Sequence, residues 1–419
     1  MSRRLASSLG ERQLEEFLRT CRRLLSAHGE ANSAVHAATA LRQYQPLSEP
    51  EQLRFFEHLD TDFGLDPAAV LEAAHRYAAG PTAQTLMQLA VVAEPPRQEL
   101  LRRLNRAPGG TALIVQMRRQ LLRILPQHPN LAAVEADFLH LLSSWFNPGF
   151  LEMQQVDWNS PAQLLEKIIQ HEAVHAIDGW DDLRRRLQPD RRCFAFFHPQ
   201  LPGEPLIFVE IALVPEMPAA IAPLIEKAAR PVESKQFRVA TFYSISNCQP
   251  GLRGVSLGNF LIKRVAERLH AEFPSIRRFC TLSPMPGFVR WLQQVDAHAP
   301  EFKPVREKLQ SALARVKRDD PLDPQSASRN ERDALLALAS IFLRFVSPAA
   351  AGDPVAKFHL GNGARLQRVN WAGDVSKNGV RQSLGMMVNY LYDLGKVEEY
   401  HQRFLEGSVV HSQAVARLV

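Results

Sequence analysis

The sequence predicts an α+β protein of two domains: an all-α helical bundle over residues 1–148, then an α/β domain over residues 149–419. Three observations carry this. Apolar residues recur at helical spacing, with no strand-like alternation, through roughly the first 145 residues. After Trp145-Phe146-Asn147-Pro148-Gly149 the pattern changes to apolar runs rich in β-formers, separated by turns rich in Pro and Gly. At about 100–200 residues per domain, a 419-residue chain with 46% hydrophobic and 22% charged residues has material for more than one well-filled core.

In the first domain, Leu14, Phe17, Leu18, Cys21, Leu24 and Leu25 fall on one helical face. Ser48-Glu49-Pro50-Glu51 is a capping box with Pro in the first turn, and Asp66-Pro67 starts another helix. Pro95-Pro96 and Pro108-Gly109-Gly110 punctuate the next two, and helices run through Leu113–Leu125 and Leu131–Leu142. No chemistry-bearing pattern occurs here, so a scaffolding role is expected. In the second domain a helix over Ala162–His171 precedes apolar runs at Cys193–Phe197, Leu206–Leu213 and Val239–Ile245, read as buried strands. Ile276–Cys280 reads as a short strand and Leu366–Trp371 as another. Helices are expected at Leu257–His270, Val305–Val316 and Asn330–Phe345.

The net charge is 50 − 44 = +6 and the basic residues are dispersed, without the aromatic-interleaved runs of a nucleic-acid binder. An anionic small ligand accounts for the excess. No run of about 18 apolar residues occurs, and Glu11, Glu15 and Glu16 interrupt the basic N-terminus before a signal-type apolar stretch forms. Neither nucleic acid nor membrane is an expected partner. Cys21, Cys193, Cys248 and Cys280 show no paired spacing, which fits a reducing cytoplasm.

Four segments could carry chemistry. His171-Glu172-Ala173-Val174-His175 matches the zinc-hydrolase pattern, in which i and i+4 histidines share a helix face and the Glu is a general base. Such a site needs a third ligand on a following helix, whereas strands follow here; the alternative is a helix end with structural histidines. Arg253-Gly254-Val255-Ser256-Leu257-Gly258-Asn259 follows a strand and opens a helix, where free N–H groups and the helix dipole favour an anion. It resembles the acyl-CoA pyrophosphate loop of the GNAT acetyltransferase superfamily, with Ser256 in place of the first Gly. Thr281-Leu282-Ser283-Pro284-Met285-Pro286-Gly287-Phe288 holds Ser283 at the entrance of a stiff loop, and Phe358-His359-Leu360 precedes a Gly-Asn-Gly turn. Each has a plain alternative: a packing turn, a turn-capping serine, a hydrogen-bonded structural histidine.

Taken together, these segments resemble the malonyl-CoA decarboxylase family, from about Leu164 to Tyr392. The likeness includes His171–His175, Arg191-Arg192-Cys193, Pro202-Gly203-Glu204-Pro205-Leu206, Phe242-Tyr243-Ser244-Ile245-Ser246, Leu282-Ser283-Pro284, Asn362-Gly363-Ala364 and Asn370-Trp371. The resemblance implies a helical N-terminal domain and a GNAT-like catalytic domain that converts malonyl-CoA to acetyl-CoA and CO2 with no metal or organic cofactor. It places the catalytic Ser on Ser283, the catalytic His on His359, a pocket tyrosine on Tyr392, and the CoA-binding loop on Arg253, Gly254, Val255, Ser256, Leu257, Gly258 and Asn259. It also implies a homo-oligomer, dimer or tetramer. Two departures stand out. Ser256 replaces a Glu that animal members carry, and the chain ends Arg417-Leu418-Val419 rather than in their peroxisomal Ser-Lys-Leu, so a cytoplasmic enzyme is expected. The competing expectations are a GNAT-type acyl-CoA acyltransferase and a zinc hydrolase.

Overall fold

The computed structural model describes residues 2–27, 30–255, 257, 261–316, 324, 326–349 and 352–419. The chain forms two compact units. The first comprises Met1–Glu152, Phe197–Glu204 and Gln249–Ser256; the second comprises Met153–Phe196, Pro205–Cys248 and Leu257–Val419. An all-α part and a part built on a mixed sheet make up the α+β class expected from the sequence.

In the first unit the capping box at Ser48 and Glu51 is formed, and the Asp66 carboxylate accepts from the N–H of Ala68 and Ala69 at the next helix start. The helices bury an aromatic cluster of Phe17, Tyr44, Phe55, Phe56 and Phe138, with Phe17 and Phe55 edge to face at 4.9 Å. Each such ring contributes about 1.5–3 kcal/mol by leaving water. The segment around Gly251 lies against the helix Gly110–Ile124. A Cβ on Gly251 would fall 2.1 Å from the carbonyl oxygen of Val115, and the buried Arg118 donates to the Gly251 carbonyl at 2.7 Å. Only glycine permits that approach.

The second unit holds a seven-stranded sheet in the order β1-β2-β3-β4-β5-β7-β6. The strands are β1 (Glu152–Val156), β2 (Arg191–Phe197), β3 (Ile207–Val214), β4 (Val239–Asn247), β5 (Arg278–Thr281), β6 (Arg365–Asn370) and β7 (Met387–Tyr392). β2, β3 and β4 are antiparallel neighbours, β4 and β5 are parallel, and β7 runs antiparallel between β5 and β6. Neither β1 nor β7 carries a local strand signal in the sequence. β1 is a largely exposed polar edge, and the buried Asn389 interrupts the apolar run of β7. The helix Asn330–Phe345 is observed as Arg329–Ile341 followed by a wide turn, Phe342–Val346.

Two irregularities open the sheet. The β3–β4 register shifts between Glu210 and Ile211, which pair with Ser244 and Phe242, so Tyr243 is an extra residue that bends β4. β4 and β5 pair only from Val239↔Arg278 to Phe242↔Thr281, with one further bond from Leu282 N–H to the Phe242 carbonyl. Pro284 and Pro286 then follow. Lacking N–H groups, they cannot extend the ladder. Among the described residues β4 continues to Asn247 with no strand on its β5 side, and a gap opens between the two parallel strands.

Candidate active site

The gap holds a cavity of about 310 Å³. Its walls are mostly apolar, including Val174, Ile207, Phe242, Ile245, Pro284, Val355 and Phe358, with Ser244, Asn247, Ser283 and His359 as polar members. No Lys or Arg is among the described residues lining it. The sheet therefore brings Ser283 and His359, 76 residues apart, to one cavity.

Each is held by its own element. Ser283 follows β5, and its backbone is clamped at both ends to Val388 of β7: its N–H reaches the Val388 carbonyl at 2.9 Å and its carbonyl accepts from Val388 N–H at 2.8 Å. His359 lies in the helix Pro354–Gly361. Asp353 caps that helix, accepting from Val355 and Ala356 N–H at 3.0 and 2.9 Å. The same carboxylate accepts from Gly287 N–H at 2.9 Å, so one buried side chain ties the serine loop to the histidine helix.

Ser283 Oγ donates to Thr281 Oγ1 at 2.9 Å and lies 3.0 Å from His359 Nε2. His359 Nδ1 lies 2.9 Å from the Tyr392 hydroxyl, and the imidazole stacks on Tyr390 at 4.8 Å. Burial pushes His359 down to about 3 and raises Tyr392 well above the usual phenol range. Both are therefore neutral near pH 7. A neutral imidazole has one donor and one acceptor nitrogen. With the Ser283 hydrogen engaged by Thr281, Nε2–H donates to Ser283 and Nδ1 accepts the Tyr392 hydrogen. The result is a directed chain, Tyr392 to His359 to Ser283 to Thr281.

Stability should report the buried neutral imidazole. An unfolded chain binds a proton on this histidine as pH falls through the ordinary value of 6.5, while the native state does not until about 3. The native state is thus favoured above pH 6.5 and loses stability as pH drops below it. His175, pushed down to about 4 by burial, adds in the same direction. Thermal unfolding between pH 7.5 and 5 should show Tm falling with pH, less steeply in His359→Asn; equal slopes would contradict a neutral native imidazole.

The other sequence candidates are placed as follows. The helix Ala162–His171 ends at the first histidine of the zinc-like motif, and Glu172 is extended, with φ −63° and ψ 111°. His171 and His175 therefore do not share a helix face, which removes the geometric premise of the zinc reading. Among the described residues no three His, Cys, Asp or Glu side chains gather as a metal-binding set. In the expected CoA loop, Arg253, Gly254 and Val255 follow a short 3-10 turn, with Gly254 at φ +85°, a conformation that suits glycine. Leu257 is buried. None of these four is among the described residues lining the cavity. Ser256, Gly258 and Asn259 lie outside the described residues. The helix expected from Leu257 is described from Leu261 to Glu272.

Sequence reasoning missed Thr281, Tyr390 and Asp353. Asp353-Pro354 carries the same Asp-Pro helix-start signal as Asp66-Pro67 and could have been read; Thr281 and Tyr390 depend on strand pairing and gave no local signal.

Residues 149–419 match the family model of the malonyl-CoA decarboxylase C-terminal domain, and residues 63–146 match that of its N-terminal domain. The mouse mitochondrial malonyl-CoA decarboxylase is 33% identical over 436 residues, covering 94% of this chain and 87% of that protein. The corresponding goose protein is 36% identical over 326 residues; the match takes in 72% of this chain and 64% of the goose protein, under two thirds of its length. The crystal structure of malonyl-CoA decarboxylase from Rhodopseudomonas palustris is similar over 96% of this chain and 99% of that one, at 44% identity and a TM-score of 0.84. That from Cupriavidus metallidurans gives 35% and 0.75.

Proposed function

The chain belongs to the malonyl-CoA decarboxylase family, and from that premise we propose that it converts malonyl-CoA to acetyl-CoA and carbon dioxide. The observation that carries the reading is the Tyr392–His359–Ser283 chain ending in an apolar cavity without a basic residue in its described lining. A malonyl carboxylate in such a space meets no counter-charge among the described lining residues. Its charge disperses as the carbon–carbon bond breaks, so the cavity favours the transition state over the bound anion.

The thioester carbonyl is itself the electron sink, so the proposed reaction needs no metal or organic cofactor. Carbon dioxide leaves, and the electron pair of the broken bond forms the thioester enolate. One proton must then reach the α-carbon. Once the Ser283 hydroxyl has turned from Thr281 to the substrate, each hydrogen moves one step: Ser283 O–H to carbon, His359 Nε2–H to the Ser283 oxygen, Tyr392 O–H to His359 Nδ1, with solvent restoring Tyr392. The enolate carbon is far more basic than a phenolate, so the transfer runs downhill even from a buried tyrosine. Before that, the Ser283 hydroxyl can turn from Thr281 to hold the enolate oxygen. Among the described residues β4 beyond Phe242 has no strand partner on this side, leaving backbone groups for the amides of a pantetheine arm. Arg253 to Asn259 is proposed as the seat of the CoA pyrophosphate, on the helix-start logic of the sequence.

Purified protein incubated with malonyl-CoA alone should release acetyl-CoA and carbon dioxide. A need for a second acceptor would favour an acyltransferase instead. Prolonged EDTA treatment should leave turnover intact; a loss restored by zinc would overturn the metal-free reading. The four cysteines are buried and form no disulfide, which supports a reducing cytoplasm. Among the described residues no helix is long and apolar enough to cross a membrane. Exposed Leu71, Met87 and Val91 on the helices Pro67–Ala79 and Ala83–Val92 support the proposed dimer or tetramer.

A further inference from the structure

The His171–His175 motif is left over by this mechanism, yet its glutamate is one of the most fully hydrogen-bonded side chains beside the cavity. Glu172 Oε1 accepts from the N–H of Val174 and His175 at 2.9 and 2.8 Å and from Ser244 Oγ at 2.8 Å. Oε2 accepts from Ser244 Oγ at 2.7 Å and Ser246 Oγ at 3.2 Å. Ala173 N–H donates to Ser246 Oγ at 3.1 Å. Every partner is a donor, which suits an acceptor-only carboxylate. Val174 and Ser244, the residues so fastened, are both walls of the cavity.

We propose that Glu172 is a positioning residue that fixes Ser244 as a hydrogen-bond acceptor toward the cavity, keeping a donor away from the carboxylate that must leave. The inference rests on the decarboxylase reading. A hydroxyl has one hydrogen, and that of Ser244 is committed to Glu172. Only its oxygen lone pairs remain for the cavity. A donor at this wall would stabilise the bound carboxylate more than the transition state, in which the carboxylate charge is fading, and would slow the reaction. The cavity is small enough, at about 310 Å³, that an acyl group beside Ser283 and His359 lies near every wall.

Glu172→Gln tests this because it inverts the polarity of Ser244. The amide oxygen must take the Oε1 position, where the N–H groups of Val174 and His175 fill its lone pairs and outcompete Ser244 Oγ, 2.8 Å away. The amide nitrogen must then take the Oε2 position, facing Ser244 and Ser246. Ser244 becomes an acceptor from the amide, and its own hydrogen turns free to point into the cavity. The expected result is a kcat about tenfold or more lower, a KM for malonyl-CoA unchanged or lower, and an unchanged inhibition constant for acetyl-CoA, which has no carboxylate. In a Ser244→Ala background, Glu172→Gln should have no further effect on kcat. A merely structural role would weaken both ligands alike. Unchanged kcat, a parallel rise in both constants, or additive effects of the two substitutions would overturn the proposal. Should Glu172→Gln fail to fold, Ser244→Ala still decides. It leaves both backbone bonds of Glu172 in place and offers no donor, so it should not tighten malonyl-CoA; tighter binding would contradict the assignment. Wild-type protein inert toward malonyl-CoA would instead strike at the decarboxylase reading itself.

Discussion

Asparagine in place of His359 is expected to lower kcat by about 10²–10⁴-fold, the usual contribution of a positioned proton-transfer group, while acetyl-CoA affinity stays within a few-fold of wild type. The imidazole joins two hydroxyls, 3.0 Å from Ser283 Oγ and 2.9 Å from Tyr392. An amide two atoms shorter cannot span them. Its Oδ1 falls near the Nδ1 position and can still accept from Tyr392, but no atom reaches Ser283 Oγ, which breaks the relay that returns a proton to Ser283. The fold should survive, because the helix Pro354–Gly361 is started by Asp353 and not by the histidine. Steady-state kinetics with malonyl-CoA, beside acetyl-CoA inhibition, make the check. A kcat within a few-fold of wild type would remove His359 from the chemistry.

Ser283→Ala should cost about 10²-fold or more in kcat for a different reason. The substitution keeps the backbone clamp to Val388 and deletes only the atom that meets both Thr281 and His359. Enolate formation loses a donor and protonation loses its last step. The hydrogen-bond direction also bears on an alternative role. A nucleophilic serine needs a base that takes its proton, whereas His359 Nε2 gives a hydrogen to Ser283. Mass spectrometry of the enzyme during turnover should accordingly show no acylated Ser283. Wild-type kcat in Ser283→Ala, or a malonyl or acetyl adduct on Ser283, would contradict this assignment.

Local signals made much of this legible. Capping residues and helical spacing placed the helices of the first unit, because those rules act within a few residues. Continuous apolar runs marked β2, β3 and β4, which are buried on both faces. Ser283 and His359 emerged through the ordered set of family-like segments, since neither has a neighbour in sequence that declares its chemistry. Pairing across the sheet stayed hidden. The Tyr243 bulge, the divergence of β4 and β5, and the place of β7 between β5 and β6 are non-local facts. Thr281, held to Tyr390 and Asn389 across strands, therefore gave no signal. The zinc-like motif misleads for the same reason. Its helical spacing is real only up to His171, where the chain turns so that Glu172 can meet β4.

The most direct test of the account is the reaction of malonyl-CoA with the purified protein in deuterium oxide, with no other substrate, followed by mass spectrometry over the first turnovers. The mechanism predicts carbon dioxide and acetyl-CoA in equal amounts, with a single deuterium on the new methyl group delivered from solvent through Tyr392, His359 and Ser283. Malonyl-CoA left intact, or acyl groups appearing only when a second acceptor is supplied, would contradict it.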